Sequence, residues 1–240
     1  MKFDLRVRTL SEFFGTAFLV AAVVGSGIMG ERLAGGSVAI ALLANTIATG
    51  AALAALILTF GPISGAHFNP AVTVVDAVEH GIAWMEVPAY IAAQCVGGIA
   101  GAVVANTMFG LHWYSLSSHA RGGRALMFSE FVATFGLLSV IWGCSRLRSD
   151  MTPFAVAAYI TAAYWFTAST SFANPAVTIA RSLSDTFAGI RPVDVPLFIV
   201  AQFAGALAAT FLFRWLVPNL PAYAKGVIAR DAELTSRPSA

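Results

Sequence analysis

The chain has 240 residues, of which 58 % are apolar and only 11 % charged, with a net charge of +2. A soluble domain carries about 25 % charged residues, so this composition excludes a fold exposed to water on all sides. The small charge, with no basic stripe interleaved with aromatics, excludes a nucleic-acid partner. Cys95 and Cys144 sit in apolar stretches without CxxC or Cys/His spacing and read as packing residues, not as a disulfide or metal pair.

In chain order, a basic segment at 1–8 leads into an apolar run at 13–29. That pattern is signal-like, but five more spans follow, so it reads as an uncleaved first span. Crossing a bilayer core of about 30 Å takes roughly 20 apolar residues. Six segments meet this, at about 10–29, 38–60, 87–109, 126–144, 153–172 and 195–217. Two apolar pieces are too short, 70–78 after Asn69 and 175–184 after Asn174. Half-spans are tolerated only where protein or a water-filled cavity surrounds them. The expectation is an all-α membrane protein of six transmembrane helices plus two re-entrant half-helices that enter from opposite faces. Trp84, Trp113 and Trp215 lie near span ends, as interface anchors do.

Orientation follows the Lys/Arg distribution. With the N-terminus inside, that side holds Lys2, Arg6, Arg8, Arg146, Arg148, Arg214, Lys225, Arg230 and Arg237, against Arg32, Arg121, Arg124, Arg181 and Arg191 outside. The expectation is a multi-pass protein with both termini cytoplasmic. Residues 1–217 read as a single domain, and 218–240 as a polar cytoplasmic tail.

The chain also repeats itself. Ser11-Glu12-Phe13-Phe14-Gly15-Thr16 returns as Ser129-Glu130-Phe131-Val132-Ala133-Thr134, and Asn69-Pro70-Ala71-Val72-Thr73 returns unchanged as Asn174-Pro175-Ala176-Val177-Thr178. Val87-Pro88, Ala93-Gln94, Gly97 and Gly101 match Val195-Pro196, Ala201-Gln202, Gly205 and Ala209. The repeats are about 10–109 and 126–217, and each has three full spans, so the second enters the membrane inverted. Inverted repeats place the functional site at the midplane, where interrupted helices meet. The small residues at 97, 101, 205 and 209 suit close helix crossing.

Asn-Pro starts a helix well: the Asn oxygen caps free N–H groups and Pro fits the first turn. Capping fixes the side chain and leaves its NH₂ free to donate to a passing solute. Two helix N-termini aimed at the midplane, each roughly +0.5 of a charge, favour lone pairs and repel cations.

The paired Asn69-Pro70-Ala71 and Asn174-Pro175-Ala176 motifs, the run from Ser64 to Thr73 and the early glutamates resemble the aquaporin/aquaglyceroporin (major intrinsic protein) superfamily over about 10–217. The resemblance implies an aquaporin-like bundle, a homotetramer with a pore in each subunit, and passive conduction of water or small neutral solutes. The sequence offers no nucleophile–base or metal-ligand set, so the expectation is no cofactor, no metal and no enzymatic activity.

Glu12 and Glu130 are intramembrane carboxylates that need partners. They read either as a proton relay or, as the resemblance implies, as structural acceptors of N–H groups from the re-entrant loops. His67 lines a vestibule or is a packing residue. Where most of the family has an arginine, directly after the second Asn-Pro-Ala, this chain has Val177. Counting from the motifs assigns the remaining constriction positions to Thr49, Ala162 and Ser171, a filter with no aromatic and no charge and therefore a wide opening. Arg181, four residues beyond Val177, is either a vestibule cation or a snorkelling interface arginine.

This filter resembles that of bacterial aquaglyceroporin-like channels found beside arsenic-resistance genes. The implied cargo is arsenite, organic arsenicals and glycerol-like polyols, with water, across the bacterial inner membrane. The alternatives are a broken-helix secondary transporter and a water-selective channel of the same fold.

Overall fold

The computed structural model describes residues 3–147 and 149–216; the polar tail and Lys2, Arg148, Lys225, Arg230 and Arg237 lie outside them. Eight α-helices account for most of the described chain: α1 Leu5–Leu33, α2 Val38–Ser64, α3 Pro70–Val78, α4 Val87–Met108, α5 Arg124–Leu147, α6 Thr152–Phe166, α7 Pro175–Arg181 and α8 Val195–Leu216. Among the described residues, five segments are long and apolar enough to cross a bilayer. The short α3 and α7 follow the two Asn-Pro pairs as expected.

The sixth expected span, 153–172, is helical only as far as Phe166. Its 15 residues cover about 22 Å at ~1.5 Å per residue, less than the bilayer core. The cause lies in the hydroxyl-rich segment that follows, where side chains compete for the backbone groups a helix would use. Thr167 Oγ1 returns to the Ala163 carbonyl at 2.7 Å, and Ser169 Oγ accepts the Ser171 amide at 3.2 Å. The second half-span likewise stops at Arg181, where Ser182 Oγ donates to the Ile179 carbonyl at 2.7 Å.

Helix α1 packs on α2 and α4, and α5 packs on α6 and α8, so each repeat is one three-helix unit, and α2 and α6 join the two. Polar contacts fix which ends share a face. Arg8 at the start of α1 pairs with Glu86 before α4, and Arg214 at the end of α8 pairs with Glu79 after α3. These mark the near face. On the far face, the α4–α5 loop meets the end of α7, with Ser115 and Ser117 amides donating to the Leu183 and Ser182 carbonyls, each at 3.0 Å.

The repeat-related glycines sit at the tightest crossings. A Cβ on Gly97 would lie 2.3 Å from the Phe13 carbonyl oxygen, and one on Gly205 would lie 2.4 Å from that of Phe131, the same pair one repeat later. Gly101 sits on Ala17 in the same way, at 2.2 Å. Burial is distributed as a bilayer demands. Leu10, Phe14, Phe18, Ile47, Val104, Phe128 and Phe211 face outward, while Glu12, Gln94, Glu130 and Gln202 are fully buried. Trp84, Trp113 and Trp215 are exposed. Cys95 and Cys144 are free and half-buried.

Candidate functional site

Each half-helix is preceded by a loop that descends from the end of a full helix to the middle of the bundle. In the first, Glu12 Oε1 accepts the His67 amide at 3.0 Å and Ser64 Oγ at 2.6 Å, while Oε2 accepts the Phe68 amide at 2.7 Å and Gln94 Nε2 at 2.8 Å. In the second, Glu130 accepts the Phe172 and Ala173 amides, each at 2.9 Å, and Gln202 Nε2 at 2.6 Å. The same glutamine amides also reach Thr73 and Thr178, each at 2.9 Å. Both carboxylates thus accept the backbone amides of the loops from fixed positions.

The loops need this support because their backbone is unusual. Ala66, Phe68, Ser171 and Ala173 have φ of 49°, 48°, 50° and 49°, the left-handed region that non-glycine residues rarely adopt. Such conformations persist only where the surroundings over-determine them.

The loops meet through the two asparagines. Asn69 Oδ1 caps α3 at the Ala71 amide (2.9 Å), and Asn174 Oδ1 caps α7 at the Ala176 and Val177 amides (3.0 and 3.2 Å). Each NH₂ then crosses to the other repeat: Asn69 Nδ2 donates to the Ala173 carbonyl and Asn174 Nδ2 to the Phe68 carbonyl, both at 2.8 Å. One N–H of each amide is spent on this exchange, and a second is left for whatever occupies the space they border.

That space is a cavity of about 60 Å³, with both asparagines in its wall. It is large enough for a short file of water-sized molecules. Leu19, Val23, Leu53, Ile57, Val72 and Val177 make most of the wall apolar. His67 lines it on the near side, with Nδ1 3.1 Å from Thr73 Oγ1 and Nε2 3.4 Å from Asp76.

Thr49, Ser171 and Val177 also line the cavity, as counting from the motifs anticipates. Ala162 does not: it is exposed on the outside of α6. Two residues along a helix is about 200° of rotation, so 162 points away from the face that carries Val156, Ile160 and Tyr164, all of which line the lumen. Tyr164 thus stands where Ala162 was expected, with its hydroxyl 3.3 Å from Thr49 Oγ1. A filter without aromatic or charge is corrected on the same grounds, since Tyr164, Phe172 and Arg181 all border the cavity. Arg181 does not snorkel. It is 2 % exposed, its Nε donates to the Ala188 carbonyl, and its guanidinium carbon lies 3.4 Å from the Phe172 ring centroid. The signal for Tyr164 was present in its i+4 and i+8 spacing from Ile160 and Val156.

Two inverted three-helix units, each closed by a half-helix, enclosing a lumen at the point where their asparagines cross, define a membrane channel. The chain belongs to the major intrinsic protein family, whose pattern matches residues 2–152 and 145–237. It is 51 % identical over 216 residues to aquaglyceroporin AqpS of Rhizobium meliloti (strain 1021), covering 90 % of this chain and 92 % of that one. It is 31 % identical over 218 residues to aquaporin NIP1-4 of Oryza sativa subsp. japonica, covering 89 % and 78 %. Its fold matches the X-ray structure of the aquaglyceroporin from Plasmodium falciparum with a TM-score of 0.71 at 18 % identity, over 91 % of this chain and all of that one.

Proposed function

We propose that this protein is a passive channel that admits small uncharged hydroxylated solutes, arsenite and glycerol foremost, together with water. The observation that carries the reading is the lumen itself. Its wall is mostly apolar, so an ion would lose its hydration without replacement, while a few fixed polar groups can exchange hydrogen bonds with a neutral solute in transit. Asn69 and Asn174 offer N–H donors at the centre; Thr49, Tyr164 and Ser171 offer hydroxyls on the far side. Ser171 Oγ is buried and has no partner among the described residues, so it is free for a solute hydroxyl. The likeness to an aquaglyceroporin over nine-tenths of the chain supports the same solute class.

In this reading Thr49, Ser171, Val177 and Tyr164 form the filter, and the Asn-Pro-Ala pairs orient the solute's oxygens. The assembly is a homotetramer in the cell membrane, with the near face and both termini cytoplasmic. Stopped-flow assays on proteoliposomes comparing water, glycerol and arsenite test it. Val177→Arg adds a long cation to the far part of the lumen, and the expected result is a fall in glycerol and arsenite flux of about tenfold or more relative to water. Unchanged ratios refute the filter assignment.

A water-selective channel is the second reading. Tyr164, hydrogen-bonded to Thr49, puts a large ring where a small residue was expected, which narrows the lumen. In that case Tyr164→Ala admits glycerol and the unmodified protein does not.

A further inference from the structure

We propose that the far end of the lumen contains an oxyanion-binding site, in which the terminal N–H groups of Arg181 and the hydroxyl of Ser171 hold a small monovalent carboxylate or oxyanion that competes with neutral solutes for entry. The inference rests on the channel reading above and deepens it.

The first observation is a pair of buried cations that have no paired acid among the described residues. Arg181 and Arg121 are 2 % and 8 % exposed, and their guanidinium carbons lie 3.4 and 5.0 Å from the centroid of the same Phe172 ring. Arg121 spends its side-chain donors on neutral acceptors: the Gly189 carbonyl at 2.7 Å, Ser169 at 3.2 Å, Phe187 at 3.4 Å and the Thr170 hydroxyl at 3.4 Å. Asp194 accepts the backbone amide of Arg121 at 2.8 Å, but its ion pair is with Arg191. Glu130 acts on both arginines only at a distance, with its oxygens already taken by two loop amides and Gln202. Burial pushes Arg121 down to about 10, which leaves it charged at neutral pH. In the same loop, His119 is held below its ordinary value by burial, then by Arg121 and Arg181.

The second observation is that Arg181 has donors to spare. Its Nε is satisfied by the Ala188 carbonyl, while Nη1 and Nη2 have no acceptor among the described residues. Ser171, 3 % exposed with an unpartnered Oγ, borders the same lumen. An unpaired charge kept out of water is costly, and a guanidinium fork is matched by two oxygens of one anion. A carboxylate or nitrate-like ion arriving from solution supplies both oxygens. Further inward, Val177, Leu53, Ile57 and Val72 supply no polar replacement for its lost hydration. The anion therefore stops at Arg181, where a neutral solute continues.

The test uses the full chain in nanodiscs and proteoliposomes at pH 7.5, with formate and nitrate as probes. Radiolabelled formate is expected to bind saturably, about tenfold or more weakly in Arg181→Gln, the loss of a charge-assisted hydrogen bond. Ser171→Ala, a small change in a loop position, is expected to weaken it a few-fold, and Arg181→Lys to fall between the two. External formate or nitrate, but not chloride at equal ionic strength, is expected to slow glycerol entry saturably. Nitrate is the salt of a strong acid, so its effect does not run through a neutral protonated form. Absence of saturable binding, binding by Arg181→Gln equal to that of the unmodified protein, or nitrate crossing as fast as glycerol overturns the proposal. If the unmodified protein passes no solute at all, the channel reading fails, and the binding measurement still decides the site.

Discussion

The two re-entrant loops share a skeleton and differ in what they show the lumen. Each is held by one buried glutamate, one glutamine and one threonine, and each ends in an asparagine that reaches into the other repeat. The near loop adds Ser64 as a further donor to its glutamate and carries His67 where the far loop carries Phe172. On the near face, Arg8 and Arg214 each have a carboxylate partner; on the far side, Arg121 and Arg181 gather around a ring instead. The repeat has kept the residues that hold the loop backbone and the asparagines and valines at the centre of the lumen, and has changed others that border it, His67 against Phe172 among them. Selectivity is therefore to be sought in the differences between the halves, and stability in their agreements.

Replacing each glutamate separately tests that division most strongly. Glu12→Ala strands four donors and Glu130→Ala three. At about 1–3 kcal/mol for each unsatisfied buried group, both should lose several kcal/mol, Glu12→Ala the more. Thermal unfolding in detergent reads the order, and the reverse order would break the comparison.

Next in size are the crossings. Gly97→Val and Gly205→Val force apart equivalent helix pairs and should each cost about 1–3 kcal/mol, as overpacking does. Nearly equal losses in melting temperature are expected if the halves are built alike.

A smaller effect comes from the first left-handed position of each loop, Gly65 at φ 92° and Thr170 at φ 61°. Gly65→Thr should destabilise by about 1–2 kcal/mol, the usual steric cost of that region, with His67 Nε2 3.3 Å from the added Cβ. Thr170→Gly should lose far less in the same unfolding assay.

The smallest effect is one of pH. The Arg8 guanidinium, by hydrogen bonding, holds the Glu86 carboxyl below the usual carboxylate range. A depressed carboxylate stabilises the fold above its unfolded value of about 4.3 and loses that contribution as pH falls through the folded value. Glu86→Gln should therefore flatten the acid limb of a melting-temperature profile below about pH 4.5 and leave the neutral region little changed.

The sequence made much of this legible because a bilayer imposes simple rules. Apolar run lengths gave the spans, the duplicated Asn-Pro-Ala gave both half-helices, and Glu12 and Glu130 were conspicuous as acids within apolar runs. The end of α6 was not legible, because the stretch from Thr167 to Ala173 carries no charge and so extends an uncharged run, while its hydroxyls turn back onto the chain. Ala162 was misplaced for the same reason: counting back from Asn174 crosses a loop whose length in space is not set by residue number, whereas helical spacing from Ile160 leads to Tyr164. The environment of Arg181 depends on Phe172 and Ala188, which no helical or strand period relates to it.

The exchange of asparagine amides between repeats bears on how the chain matures. Asn69 has its Ala173 acceptor only after about a hundred further residues have been made. A ribosome-bound intermediate that ends before that point holds the first motif incomplete, with a polar group waiting in lipid surroundings. Biogenesis must therefore shelter the leading half until the trailing half arrives, and neither half expressed by itself should acquire a finished centre.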